Sequence, residues 1–143
     1  MAYQLKRTEK LRDELELCDE GGNVTDTLHF TVDIDSISGE LRKRLTDVIS
    51  AEKALKNAID DKQYTEAYGS YGEAITGIFA ICFGSENARK IAEHYENNFI
   101  EMSLAVVPYI YEVVLPKVNE CIAKKREEMK NLYRTKTMRF GKR

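Results

Sequence analysis

Tryptophan is absent from this sequence, and only two of its 143 residues are prolines. Proline interrupts helices and is common in the turns of all-β proteins. Its scarcity therefore disfavours a turn-rich all-β fold and favours long helices. A chain of this length is expected to form one domain with a single hydrophobic core.

Cysteine is also scarce. The three cysteines, Cys18, Cys82 and Cys121, are far apart, and no CxxC pair occurs. This pattern disfavours a disulfide framework and a zinc site. The first ten residues, MAYQLKRTEK, lack the apolar segment of a secretory signal. We therefore expect reduced thiols and a cytoplasmic location, with Cys82 and Cys121 buried as small hydrophobic side chains.

Motifs for catalysis and metal binding are missing as well. The two histidines, His29 and His94, belong to no HExxH pattern, and neither GxSxG nor GxxxxGK[ST] occurs. The stretch ICFGSENARK interrupts a helix-like run, but Gly84 stands alone in it and Glu86 would repel an anion. We predict that Gly84 ends one helix and that Ser85 caps the next. An enzyme is not expected, and neither is a bound metal or cofactor.

Charge is distributed unevenly along the chain. Between Lys124 and Arg143 there are nine Lys or Arg and two Asp or Glu residues, a net charge of +7, and the part before Lys124 carries −9. Two interpretations are open at this point. The basic segment is either a solvated helix end favoured by the helix dipole, or a segment that binds an acidic partner.

The clearest strand pattern lies near the N-terminus. Leu15 and Leu17 alternate with glutamates, DEGGNV has the composition of a turn, and apolar and polar residues then alternate. This predicts a β-hairpin over residues 11–34. A lone hairpin is marginally stable, so its apolar face is expected to pack on helices or on another chain's sheet. On the second strand that face comprises Val24, Leu28, Phe30, Val32 and Ile34.

Helical periodicity dominates the rest of the body. A first helix is expected to begin at a cap formed by Asp35 or Ser36. A second is expected over Tyr64–Phe83, where small residues allow a neighbouring helix to approach closely: Gly69, Gly72 and Gly77. A third helix is expected to stop at Asn97 and Asn98.

A long apolar helix follows, and Pro108 and Pro116 are expected to kink or break it. Glu112 and the prolines disfavour a membrane span here. The predicted fold class is α+β, mainly α: an N-terminal β-hairpin followed by a bundle of about four helices with a long kinked C-terminal helix. Residues 1–133 form the single predicted domain, with the helical body over 36–133 and a flexible basic tail over 134–143.

This order of elements resembles the tail assembly chaperones of long-tailed phages and prophages of Gram-positive bacteria. In such small proteins a phrase like FG.E.A..I precedes a helix with N..EM...V.P.I. The matching residues in this sequence are Phe83, Gly84, Glu86, Ala88, Ile91, Asn98, Glu101, Met102, Val106 (or Val107), Pro108 and Ile110. The resemblance extends from Leu15 to Ala123.

The resemblance implies a non-catalytic role. Proteins of that family keep the long tape-measure protein soluble and help to recruit tail-tube subunits, which would make these two proteins the partners. The family has no catalytic residues to transfer to this chain. Two alternative functions stay open: a structural virion subunit of the connector or completion type, and a nucleic-acid-binding protein that uses the basic segment, although the acidic body opposes the latter.

Binding or self-association surfaces are expected on the hairpin and on the Met102–Val118 helix, because their apolar content exceeds what this small body needs. The basic segment is expected, as a second hypothesis, to bind an acidic partner such as a tail-tube subunit. A homo-oligomer is compatible with this apolar excess. The candidate partner-binding residues are Met102, Val106, Tyr109, Val113, Lys124, Lys125, Arg126, Tyr133, Arg134, Arg139 and Phe140.

Overall fold

The predicted fold class is confirmed. A computed structural model describes the backbone of residues 2–141 and the side chains of residues 2–134. The chain forms β1 (Leu11–Cys18), β2 (Val24–Val32), α1 (Ile34–Lys56), α2 (Asp61–Phe83), α3 (Ser85–His94) and α4 (Phe99–Tyr109). A π-helical turn (Ile110–Val114) joins α4 directly to α5 (Leu115–Gly141), so the C-terminal part is one long helix.

The two strands form an antiparallel hairpin that packs on the helices. Leu11 pairs with Val32 and Leu15 with Leu28, and a register shift falls between Leu17 and Cys18. Asp19 closes the turn, since its Oδ1 accepts hydrogen bonds from the backbone N–H groups of Gly21 and Asn23 at 2.9 Å. Bonds from Asn23 above all lower the pKa of Asp19.

The apolar face of the hairpin is buried as predicted, except at one end. Leu28, Phe30 and Val32 lie in the core, but Val24, beside the turn and next to the register shift, is 50% exposed. The predicted hairpin also ends too late. Ile34 is the first residue of α1, and the helix cap is Asp33, whose Oδ1 accepts from the Ser36 backbone N–H at 3.2 Å. Asp35 and Ser36 lie inside the helix.

The second helix occupies the centre of the core. It begins at Asp61 rather than Tyr64, because Asp60 caps it by accepting from the Gln63 backbone N–H at 2.8 Å. Ile75, Ile78 and Phe79 are fully buried. The predicted close approach occurs at Gly72, where an added Cβ would lie within 2.8 Å of the Phe99 ring. A Cβ added at Gly69 would meet no heavy atom within 4 Å, so this glycine does not allow a close helix approach.

Gly84 forms the joint between α2 and α3. Its φ of 90° suits glycine, and its N–H donates to the Ala80 carbonyl at 2.9 Å, which ends α2 as predicted. The predicted Ser85 cap is wrong, since Gly84 is itself the N-cap and Ser85 is the first helical residue. Asn87 stabilises the joint instead, donating to the carbonyls of Phe83 and His29 at 2.9 Å each.

The two prolines do not break the C-terminal helix. Asn98 caps α4 by accepting from the Glu101 backbone N–H at 3.1 Å. Pro108 lies inside α4, and the π-helical turn follows it and precedes Pro116. Proline removes one hydrogen bond and crowds the preceding turn, and wider π-helical turns relieve such crowding. The helix therefore continues through both prolines.

By length and composition, the helical stretch Phe99–Arg134 is apolar enough to cross a membrane. Core helices of soluble proteins show the same property. Of the most apolar part of this stretch, 28% is buried inside the protein. The buried residues include one stripe that belongs to the core: Met102, Val106, Ile110, Val114 and Val118.

Tyr109 attaches the hairpin to the long helix, and its loss has a predictable pH dependence. Its hydroxyl donates to Asp13 Oδ2 at 2.7 Å. This bond, followed by one from the Glu14 N–H, lowers the pKa of Asp13. Stability from a lowered carboxyl pKa is present above the unfolded pKa and is lost as pH falls through the folded one. Tyr109→Phe should therefore cost at most about 1 kcal/mol at pH 7, since Asp13 is exposed, and less near pH 2.5.

Urea unfolding at both pH values measures this difference. Tyr111→Phe, on the exposed side of the same helix, is the control and should leave the pH profile of the free energy of unfolding unchanged. An equal loss at both pH values for Tyr109→Phe would contradict the assignment of the bond.

Candidate partner-binding groove

The structure places the predicted contact residues of the long helix wholly or partly inside the protein. Met102 is fully buried, and Val106 is buried beside it. Tyr109 is half-buried against Phe30 and Phe83, with ring centroids 6.0 and 5.9 Å away. Val113 is half-buried too. In this fold Met102 and Val106 belong to the core, and Tyr109 packs against it.

A different stripe of the same helix is exposed. Ile100, Leu104 and Tyr111 are exposed large hydrophobic side chains, and Leu104 is 74% exposed. Together with Pro108 they form one wall of an apolar groove of about 460 Å³. Because residues three and four apart share a helix face, the four lie in one row. The opposite wall is α1, with Val48, Ile49 and Leu55. We call this the α1–α4 groove.

The polar side chains on the floor of the α1–α4 groove are already hydrogen-bonded to each other or to the backbone. The Tyr71 hydroxyl donates to Ser103 Oγ at 2.7 Å, and Ser103 donates in turn to the Ile100 carbonyl at 2.8 Å. Across the described residues, every buried side-chain nitrogen and oxygen has a hydrogen-bond partner. The groove is thus suited to apolar side chains and not to a polar ligand, whose groups would lose their hydration without compensation.

Charged side chains border the apolar centre. Glu52 and Lys56, one helical turn apart on α1, form an ion pair of 2.7 Å at the rim. An apolar centre with a polar rim is the usual arrangement for binding an amphipathic helix, which places its apolar face in the groove and its polar face in water.

The basic candidate residues and their aromatic neighbours lie outside the groove, on α5. Lys124, Arg126, Tyr133 and Arg134 are exposed on α5, and Lys125 is half-buried. Arg139 and Phe140 lie outside the residues whose side chains the structure describes. The backbone of residues 134–141 belongs to α5, and the predicted flexibility of the segment 134–143 stays a prediction.

Other reactive groups do not converge on a site. Within the described chain, no three His, Cys, Asp or Glu side chains are grouped so as to hold a metal. His29 faces Glu14 at 3.4 Å on the exposed side of the hairpin. Cys82 is buried as predicted, and burial raises the pKa of its thiol to about 12, which keeps it protonated and unreactive. Cys121 is half-buried.

The sequence contained a signal for the groove. Ile100, Leu104, Pro108 and Tyr111 recur at helical spacing, but so do the buried residues of the same nearly uniform apolar run. Which stripe faces outward depends on where the hairpin packs.

Comparisons with protein-family models, with curated proteins and with solved structures find no match to this chain.

Proposed function

We propose that this protein is a non-catalytic tail assembly chaperone of a long-tailed phage or prophage. In this proposal it acts in the bacterial cytoplasm, binds the tape-measure protein and helps to recruit tail-tube subunits. The observation that supports a binding role most strongly is the exposed α1–α4 groove. The choice of partner rests on the two sequence motifs around Gly84 and Pro108 that resemble those of tail assembly chaperones.

The groove fits the chemistry of such a partner. A tape-measure protein is long and helical, and before assembly its apolar stripes are exposed to water. Burying apolar surface contributes about 25 cal/mol per Å², so each apolar side chain inserted into the groove contributes favourably to the free energy of binding. Leu104 and Tyr111 project from one wall and would pack between successive turns of the client helix.

Co-expression with the tape-measure protein of the same phage or prophage tests the proposal. The unaltered chain should bring the client into the soluble fraction. Leu104→Asp places a charge in the apolar contact and should lower the recovered client about tenfold or more. Ile59→Asp is the matched control, because Ile59 is 85% exposed but lies outside the groove, and it should act like the unaltered chain.

Two outcomes would contradict the proposal. One is a client equally insoluble with and without this chain. The other is a client that the Leu104→Asp and Ile59→Asp variants solubilise equally well. Circular dichroism of both variants establishes that each is folded.

The exposed basic part of α5 favours nucleic-acid binding as a second candidate function. Lys124, Lys125 and Arg126 follow one another on this helix, and Tyr133 is an exposed aromatic that could stack on a base. The net charge of −9 before Lys124 opposes this function. A gel shift on duplex DNA distinguishes the candidates, since steep weakening with salt would favour nucleic acid.

A further inference from the structure

The long helix extends well past the body of the protein. Every side chain from Ala123 to Arg134 is exposed except the half-buried Lys125. At 1.5 Å per residue, the stretch Phe99–Arg134 is about 50 Å long. Its far end carries five Lys or Arg and two Glu between Lys124 and Arg134. We call residues 124–134 the basic end.

The opposite end of the molecule is acidic. Exposed carboxylates lie along the second half of β1 and around the turn of the hairpin: Glu14, Glu16, Asp19, Glu20 and Asp26. The start of α4 lies nearby, because Tyr95 before it is close to both Cys18 and Glu101, and these two groups add to burial in raising the pKa of Tyr95. We call these five carboxylates the acidic end.

The hairpin runs alongside the long helix and so separates the two ends. Leu11, where the hairpin begins, lines a polar groove with Lys117 and Lys124 of α5. The turn lies a full strand away, toward the start of α4. Charges this far apart are screened within one molecule, because the Debye length is about 8 Å at physiological salt. None of the ion pairs among described residues joins the two ends.

The basic end also carries an unpartnered apolar stripe. Val114, Val118 and Ile122 lie on the helix face that packs against the body. Met129 and Tyr133 continue that face at helical spacing, and Leu132 lies beside them, yet all three are exposed. The first half of this stripe is buried against the body and the second half is exposed, so no described part of the chain covers the second half. At the acidic end, Val24 offers exposed apolar area.

We propose that the basic end of one copy binds the acidic end of a second copy, so that copies associate head to tail. Pairing of two basic ends is disfavoured by like charges, whereas the hairpin end offers exposed carboxylates together with the exposed apolar side chain of Val24. Unlike surfaces joined in this way form a ring if the rotation closes and a filament if it does not. This inference does not depend on the client or on the α1–α4 groove.

Charge exchange tests the proposal by sedimentation velocity. The first variant reverses the basic end with Lys124→Glu, Lys125→Glu and Arg126→Glu. The second reverses the acidic end with Glu14→Lys, Glu16→Lys and Glu20→Lys. Asp19 is kept, because its carboxylate closes the turn. Circular dichroism checks that both variants fold.

The unaltered chain should associate at about 50 mM salt and dissociate as salt is raised. Each variant alone should associate at least about tenfold more weakly than the unaltered chain, since its two ends now carry like charges. An equimolar mixture should regain association, because the unaltered basic end of the second variant complements the unaltered acidic end of the first, and the two altered ends complement each other as well. Restoration in the mixture distinguishes direct pairing of the ends from misfolding.

Three results would overturn the proposal: an unaltered chain that stays monomeric at low salt, variants that associate as well as the unaltered chain, or a mixture that regains nothing. Binding of the basic end to vesicles of anionic lipid, or to duplex DNA, by a chain that stays monomeric would assign this surface to another partner. The groove variants keep both ends, so the outcomes here and in the co-expression experiment are independent.

Discussion

Replacing Phe79 with alanine is expected to lower the free energy of unfolding by about 3–5 kcal/mol. Phe79 is fully buried at the centre of α2, and its ring lies 6.0 Å from that of Phe83. Truncation removes the transfer free energy of the ring and leaves a cavity in the core. Because domains of this size are stable by about 5–15 kcal/mol, such a loss removes a large part of the total.

Urea unfolding followed by circular dichroism measures this loss. Tyr64→Ala is the matched control, since it truncates an aromatic side chain of the same helix that is exposed at the surface. The control should cost about 1 kcal/mol or less. Equal losses for the two variants would mean that Phe79 is not the centre of the core.

Gly72→Ala is expected to destabilise the protein, although alanine normally stabilises a helix. The new Cβ would lie within 2.8 Å of three ring atoms of Phe99, so the ring and α4 must shift. Overpacking of this kind costs about 1–3 kcal/mol, against about 1 kcal/mol gained in helix propensity. The net loss should be up to about 2 kcal/mol. Gly69→Ala, three residues earlier with nothing within 4 Å, should instead gain up to about 1 kcal/mol.

A double-mutant cycle identifies the cause of the Gly72 effect. Phe99→Leu removes the ring atoms that the new Cβ would meet, so Gly72→Ala should cost at least about 1 kcal/mol less in that background. Purely additive losses, or a stabilising Gly72→Ala, would show that α2 and α4 do not approach each other at this point.

The fold class could be predicted because its signals are local. Alternation of apolar and polar residues along β2 identifies a strand without any knowledge of the tertiary structure, and the glycine after Phe83 marks a helix end by its backbone freedom alone. The cap of α1 could not be chosen in this way. Asp33, Asp35 and Ser36 all suit a cap, and Asp33 is selected because β2 ends at Val32, opposite Leu11.

The candidate site could be predicted only in part. The sequence placed an apolar surface on the long helix, but Met102 and Val106 of that helix are buried, and Leu104 between them is exposed. Apolar residues surround all three positions, so periodicity does not distinguish the inner stripe from the outer one. The distinction arises from tertiary packing, because the hairpin, α1 and α2 cover one face of the helix and leave the other as a groove wall.

The most direct test of a binding role is photo-cross-linking from inside the α1–α4 groove. A photoreactive phenylalanine derivative is placed at position 104 in one variant and at position 59 in the other, and each is expressed with the tape-measure protein. A groove that binds the client predicts a cross-linked product from position 104 and little or none from position 59. No product from position 104, or equal products from both positions, would contradict it.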